Sequence, residues 1–158
     1  MNFHVITLFP EVVDAYTQAS ILGRAQKDKK LKVKTYQLRD TAGNKWGKVD
    51  ERPYGGGPGM VLRAEPVIKA VQKIKKPRAK VIITAAGGKP LTNAYAKSLL
   101  KYKDVVIVCG RYEGIDVRAK KVLKAEEVSV GPYILTGGEV PAMAIIDAAA
   151  RQLPGVLG

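Results

Sequence analysis

Five consecutive apolar residues, Val105–Cys109, run without a polar break into Gly110. A strand that alternates apolar and polar residues can lie in a half-exposed sheet, whereas one with no polar position must be covered on both faces. That requirement points to a parallel sheet flanked by helices. Ligands of such sheets bind beyond the carboxyl ends of the strands, where glycine lets them approach the backbone. Two glycine-bearing turns follow strand-like runs in this part of the chain, Gly110–Gly114 (GRYEG) and Ser129–Gly138 (SVGPYILTGG). They stand close enough in sequence to converge on one small molecule.

The rest of the chain supports the α/β class. Strands are predicted at Phe3–Leu8, Leu31–Leu38, Lys80–Thr84, Val105–Cys109 and Glu126–Val130. Helices are predicted from Pro10 to about Gln18, over Ala64–Lys75, Asn93–Leu100 and Asp116–Leu123, and from Pro141 to about Gln152, while Ser20–Ala25 begins a second short helix or a loop. Helical and strand patterns alternate, so the sheet should be mainly parallel within one domain covering residues 1–158. Arg39–Met60 (RDTAGNKWGKVDERPYGGGPGM) has little periodicity, and structureless loops of that length are usually functional or disordered. Its glycines, Gly55, Gly56, Gly57 and Gly59, can admit a phosphate backbone or a flat base; a flexible tether is the plainer reading.

Charge narrows the partners. The 158 residues carry 27 Lys and Arg against 14 Asp and Glu, a formal net charge of +13. Residues 1–80 hold 17 basic and 7 acidic residues, and 81–158 hold 10 and 7, so the excess is concentrated in the first half. Such an imbalance favours a polyanion, because Lys and Arg contacts to phosphate supply most non-specific nucleic-acid affinity. A basic cluster, Lys73, Lys75, Lys76, Arg78 and Lys80, surrounds Pro77, although a solvated charged face explains any one of these residues equally well. No apolar run approaches the roughly 20 residues of a membrane span, and the N-terminus lacks a signal-peptide pattern. One cysteine and one histidine, Cys109 and His4, allow neither a disulfide framework nor a recognisable zinc site. A cytoplasmic protein without a resident metal is the expectation.

Common nucleotide and hydrolase signatures fail. Pro90 follows Gly87-Gly88-Lys89 where a phosphate loop needs Ser or Thr, no glycine run completes G-x-G-x-x-G, and no G-x-S-x-G elbow is present. What remains is glycine-rich strand ends near Gly87, Gly110 and Gly137, with Arg111, Glu113, Asp116, Glu139 and Arg151 close in sequence. Apolar residues Ile134, Leu135 and Pro141 suit a flat heterocycle. Each carboxylate could equally be a helix-start or turn residue, and Arg151 a cation closing a helix.

Five segments are similar to one family: ITLFPE (Ile6–Glu11), RPYGGGPGM (Arg52–Met60), CGRYEGID (Cys109–Asp116), SVGPYILTGGEVPAM (Ser129–Met143) and RQLPGVLG (Arg151–Gly158). In these the chain resembles the bacterial tRNA (guanine-N1)-methyltransferases, the TrmD type of the SPOUT class, and the segments keep the family's order along essentially the whole chain. The resemblance implies a deep C-terminal trefoil knot over about residues 82–141, S-adenosylmethionine as cofactor, tRNA as substrate rather than DNA, and a homodimer with the active site at its interface. By that likeness the cofactor is held by Ile82, Ile83, Thr84 and Gly87; by Gly110, Tyr112, Glu113 and Gly114; and by Ser129, Val130, Gly131, Tyr133, Ile134, Leu135, Gly137, Gly138 and Pro141. Arg52, Gly55, Gly56, Gly57 and Gly59 would serve tRNA. Arg151 and Glu113 would be the catalytic residues, and Glu113 a possible contributor to a Mg2+ site. In the family, a general-base aspartate and a small tRNA-gripping domain follow PGVLG, beyond Gly158. The expectation is therefore cofactor binding, with reduced or absent methylation by this chain alone. The alternative is a basic RNA-binding or purely structural knotted dimer. One departure stands out: Thr84-Ala85-Ala86-Gly87-Gly88 occupies a position where the family more often has Ser-Pro-Gln-Gly.

Overall fold

A computed structural model describes residues 1–74 and 78–157. The part of the basic cluster at Lys75, Lys76 and Pro77 lies outside the described residues, as does Gly158.

Five parallel strands form one sheet: β1 (Asn2–Thr7), β2 (Lys32–Gln37), β5 (Lys80–Pro90), β6 (Asp104–Val108) and β7 (Glu126–Ser129), in the order β2-β1-β6-β5-β7. A second, two-stranded antiparallel sheet pairs β3 (Asp50–Glu51) with β4 (Val61–Leu62). The apolar run is the central strand, β6, and all five of its residues are buried.

Because successive side chains point to opposite faces, each strand feeds two cores. On one face Phe3, Val5, Ile107 and Ile82 pack with α2 (Ser20–Lys27), α4 (Asn93–Ser98) and α6 (Glu139–Ala150), joined by Val13 of α1 (Pro10–Thr17). On the other, Ile6, Val106, Val108, Val81 and Ile83 pack with α3 (Ala64–Ile74) and α5 (Val117–Leu123). The α3 stripe of Val67, Val71 and Ile74 is buried there, with the period the sequence shows.

Three elements differ from the sequence reading. Strand β5 does not stop at Thr84. Its pairing with β7 breaks between Thr84 and Lys89 and resumes at Lys89–Pro90, so Ala85–Gly88 leaves the ladder as an irregular excursion. Helix α6 begins at Glu139 rather than Pro141; proline at the third position removes only an amide that has no intrahelical partner. Arg39–Met60 is not one structureless loop. It holds a 3-10 turn at Leu38–Thr41, strand β3, and a hairpin connection, residues 52–60, closed by β3 and β4. Gly55, Gly56, Gly57 and Gly59 of that connection all have φ between +87° and +111°, a region closed to side-chain-bearing residues except at a cost. The glycines are thus what lets the hairpin close.

At the amino end of the sheet, His4 Nε2 lies 2.8 Å from Asp104 Oδ1, and Asn2 Nδ2 donates to the same oxygen at 3.1 Å. Burial alone would raise the Asp104 pKa; the hydrogen bonds from His4 and Asn2 outweigh it and hold the carboxyl below its usual range. Lys80 of the basic cluster is similarly committed, with Nζ 2.8 Å from Glu126 Oε2.

Removing a methylene-rich side chain from the fully buried centre leaves a cavity, so Ile107→Ala should cost about 2–5 kcal/mol in urea unfolding. Ile134→Ala, at a position 88% exposed, should leave the midpoint nearly unchanged. Equal effects at the two positions would contradict this packing.

Candidate cofactor cleft

The carboxyl ends of β5, β6 and β7 open into a cleft of about 430 Å3. Its walls are the Ala85–Gly87 excursion, the Gly110–Ile115 turn and the Tyr133–Gly138 segment, with Pro141 of α6. Every residue expected to hold the cofactor lines this cleft except Ile82 and Gly131. Ile82 is fully buried and points into the core, while its neighbour Ile83 reaches the cleft; Gly131 packs against the Tyr133 ring.

The two glycine turns meet by close approach. The Gly138 amide donates to the Gly110 carbonyl at 2.8 Å. A Cβ on Gly138 would lie 2.5 Å from Gly110 N and 2.7 Å from Cys109 Cα, and would also strike Thr84 Oγ1. Gly138 has φ −83°, so it is required here for space and not for backbone freedom. Thr84 Oγ1 accepts from the Gly110 amide at 3.0 Å, which ties β5 to the same point.

Beneath this contact lies a charged cluster. Glu139, only 3% exposed, accepts from Thr7 Oγ1 at 2.6 Å and from Arg111 at 2.9 Å (Nη2) and 3.1 Å (Nε). Arg111 also donates to the Thr136 carbonyl at 3.3 Å and stacks its guanidinium 4.4 Å from the centre of the Phe9 ring. These residues belong to ITLFPE, CGRYEGID and TGGEVP, so one ion pair joins three of the segments singled out in the sequence. The buried Cys109 thiol is adjacent; burial pushes its pKa well up and the Glu139 charge adds to that, leaving an inert thiol.

Of the other candidate carboxylates, Asp116 is structural. It caps α5 by accepting from the Arg118 amide at 2.9 Å, and its carboxylate pairs with the Arg118 guanidinium, which holds its pKa below the usual range. Glu113 is different. It lines the cleft, and among the described residues its carboxylate has no hydrogen-bond or ion-pair partner. Its backbone belongs to a short docking seam in which the Glu113 amide donates to Met60 O, Leu62 N to Gly114 O, and Asp116 N to Leu62 O, each at 2.9 Å. A Cβ on Gly59 would lie 2.6 Å from Glu113 Cγ. The glycine hairpin is therefore fastened to the turn that carries Glu113, although Arg52, Gly55, Gly56, Gly57 and Gly59 stand outside the cleft. Tyr112, at φ +58°, holds the strained conformation that aims this turn.

Arg151 is not brought to the cleft. It caps the carboxyl end of α6, a 12-residue helix that starts at the cleft, about 18 Å of helix away. Sequence reasoning left out of the cofactor set Arg111 and the Lys120–Glu127 pair (2.6 Å), all of which line the cleft. Lys120 and Glu127 come from α5 and β7, and no local pattern marks them. Among the described residues no three His, Cys, Asp or Glu side chains gather as a metal site, and no helix is long and apolar enough to cross a membrane.

Two substitutions separate crowding from shape. Gly138→Ala must displace backbone and should lower stability by about 1–3 kcal/mol, whereas Gly87→Ala meets nothing within 4 Å and should unfold like the parent. Asp116→Ala should cost about 0.5–2 kcal/mol at neutral pH through loss of the cap. Because the folded pKa is depressed, that difference is fully present above about pH 4 and shrinks as pH falls through the folded value. Thermal melts of parent and variant across pH 2–7 check both the size and the sign.

Comparison with known proteins agrees with the segments described. The family model described as tRNA (Guanine-1)-methyltransferase TrmD matches residues 1–158. The tRNA (guanine-N(1)-)-methyltransferase of Desulforamulus reducens is 46% identical over all of this chain and 64% of its own length. That of Ruminiclostridium cellulolyticum is 46% identical over 99% of this chain and 69% of its own, and that of Staphylococcus aureus 45% identical over 100% and 65%. The chain thus spans about two thirds of the length of these relatives. With its model matched from end to end and the segments CGRYEGID and SVGPYILTGGEVPAM lining one cleft, this chain belongs to the tRNA (guanine-N1)-methyltransferase family of the TrmD type.

Proposed function

We propose that the cleft binds S-adenosylmethionine and that the chain, within its whole protein, directs methyl transfer to N1 of the tRNA guanine just 3′ of the anticodon. The observation that carries this reading is the single cleft enclosed by the Gly110–Gly114 and Ser129–Gly138 turns. Its residues fit the group. Ile134, Leu135 and Pro141 offer apolar walls for the adenine, the main chain around Gly137 and Gly138 offers polar contacts, and unpaired Glu113 suits the cationic methionine end. When bound, the cofactor supplies an electrophilic methyl group.

The remaining chemistry concerns the guanine. Its N1 is protonated at neutral pH, so a base must take that proton during transfer. Negative charge then develops at O6, where an arginine donor is favourable. Of the two glutamates lining the cleft, Glu127 is neutralised by Lys120, which leaves Glu113 to hold and orient the cofactor. By family likeness the proton acceptor lies beyond Gly158, and Arg151 is the O6 donor.

The homodimer belongs to the same proposal. The distance of Arg151 from its own cleft, and the exposed apolar residues Val12, Tyr16 and Val140 on α1 and α6, support a pairing in which Arg151 of one copy serves the cleft of the other. The trefoil knot over about residues 82–141 is supported by the tight seat of Gly138 against Gly110, Cys109 and Thr84. Cytoplasmic tRNA is the substrate this reading requires, and the net charge of +13 accords with it.

Calorimetric titration of S-adenosylmethionine tests the reading. The parent should bind one equivalent per chain. Gly138→Trp should bind none, and Ile134→Asp, which cannot disturb the core, should bind at least about tenfold more weakly. Parent protein that does not bind, or an Ile134→Asp variant that binds normally, would remove the cofactor assignment.

A further inference from the structure

Trp46 is the chain's only tryptophan, and it is 78% exposed. An exposed indole offers a broad flat face for stacking. The turn beneath it is firmly built. Asn44 Oδ1 accepts from the Trp46 amide at 3.1 Å and from the Lys48 amide at 3.0 Å, while its Nδ2 donates to the carbonyls of Ala42 (3.1 Å) and Lys48 (2.8 Å). Arg39 packs under Gly47 and donates to its carbonyl at 3.1 Å. The turn is braced against the hairpin sheet, with the Arg63 amide donating to Val49 O at 2.8 Å. This is a rigid pedestal, so the indole is presented with little ordering left to do on binding.

Its surroundings are cationic. The Lys45 ammonium sits 4.7 Å from the ring centre, Lys48 follows, and residues 44–48 include no acid. Tyr54, fully exposed, lies in the hairpin connection that follows β3, so the two most exposed aromatic residues among those described stand before and after that strand in sequence. The hairpin sheet is fastened to the cleft turn at Met60–Leu62. Exposed aromatics interleaved with lysine and arginine suit unpaired bases, which stack on the ring while the adjoining phosphates meet the cations.

We propose that the Asn44–Lys48 turn is a base-stacking site for single-stranded RNA, with Trp46 as its platform and Lys45 and Lys48 as its phosphate contacts. The inference rests on the tRNA reading above and adds to it a point of grip outside both the cleft and the glycine hairpin.

The sole indole is its own reporter. Titrating the full chain with a synthetic anticodon stem-loop RNA should quench Trp46 emission saturably, and a fully paired RNA duplex should do so far less. Trp46→Ala should weaken stem-loop binding, read by anisotropy of labelled RNA, about 5- to 100-fold, whereas Trp46→Phe should retain most of it. S-adenosylmethionine affinity should be the same in all three proteins. Stem-loop binding with unchanged emission and an indifferent Trp46→Ala variant would overturn the stacking site and leave the tRNA reading standing. A shift of Trp46→Ala from dimer to monomer in sedimentation would overturn it in favour of a second copy covering the indole. No stem-loop binding by the parent would overturn it as well, and the cofactor titration would then decide the methyltransferase reading by itself.

Discussion

The carboxylate of Glu139 is the point on which the site depends. A charge with 3% exposure survives only when it is paired and its remaining lone pairs are occupied, and here Thr7 and Arg111 do both. Each partner brings its own stretch of chain. Thr7 is the last residue of β1, Arg111 leads the turn after β6, and Glu139 opens α6. Taking away Arg111 would leave an uncompensated charge in the interior, and taking away Thr7 would strip Glu139 Oε1 of its short hydrogen bond, so the three stretches are held in one arrangement. The side of Arg111 facing the Phe9 ring adds a second constraint on the same guanidinium.

Above that pair the backbone itself builds the cleft. Gly138 meets Gly110 with no space between them, and Tyr112 accepts a left-handed conformation so that Glu113 faces the opening. The same turn is hydrogen-bonded to Met60 and Leu62, which ties the base of the glycine hairpin to it. A substrate gripped by the hairpin and a cofactor held by the cleft would thus share one mechanical element. The coupling is local and needs only three backbone hydrogen bonds.

Much of the fold was legible before the structure. The apolar run of β6, the period of α3 and the helix start at Pro10 depend on local signals, and these are written directly in residue order. Most of the cleft was legible for a different reason: its walls are contiguous glycine turns, and a family likeness assigns them as blocks. The misses have physical causes. Strand β5 resumes after Thr84 because β7 offers it a partner, and no local signal encodes a partner that lies some forty residues away. Ile82 and Ile83 were assigned together, but a one-residue step in a strand reverses the face, so Ile83 lines the cleft while Ile82 is buried in the core.

The sequence by itself determined the class of the protein, its buried central strand, the turns able to approach a ligand, and its large excess of positive charge. All of these follow from the order and kind of residues along short stretches. Only the tertiary structure decided which charges are spent and which are free. Asp116 and Glu139 prove to be structural, Lys80 is bound to Glu126, and Glu113 alone of the candidate carboxylates faces the cleft without a partner. It also decided that Arg151 stands a helix length from its own cleft and that Trp46 stands exposed on a braced turn. A side chain's partners are set by distances between segments remote in sequence, and only folding brings those segments together.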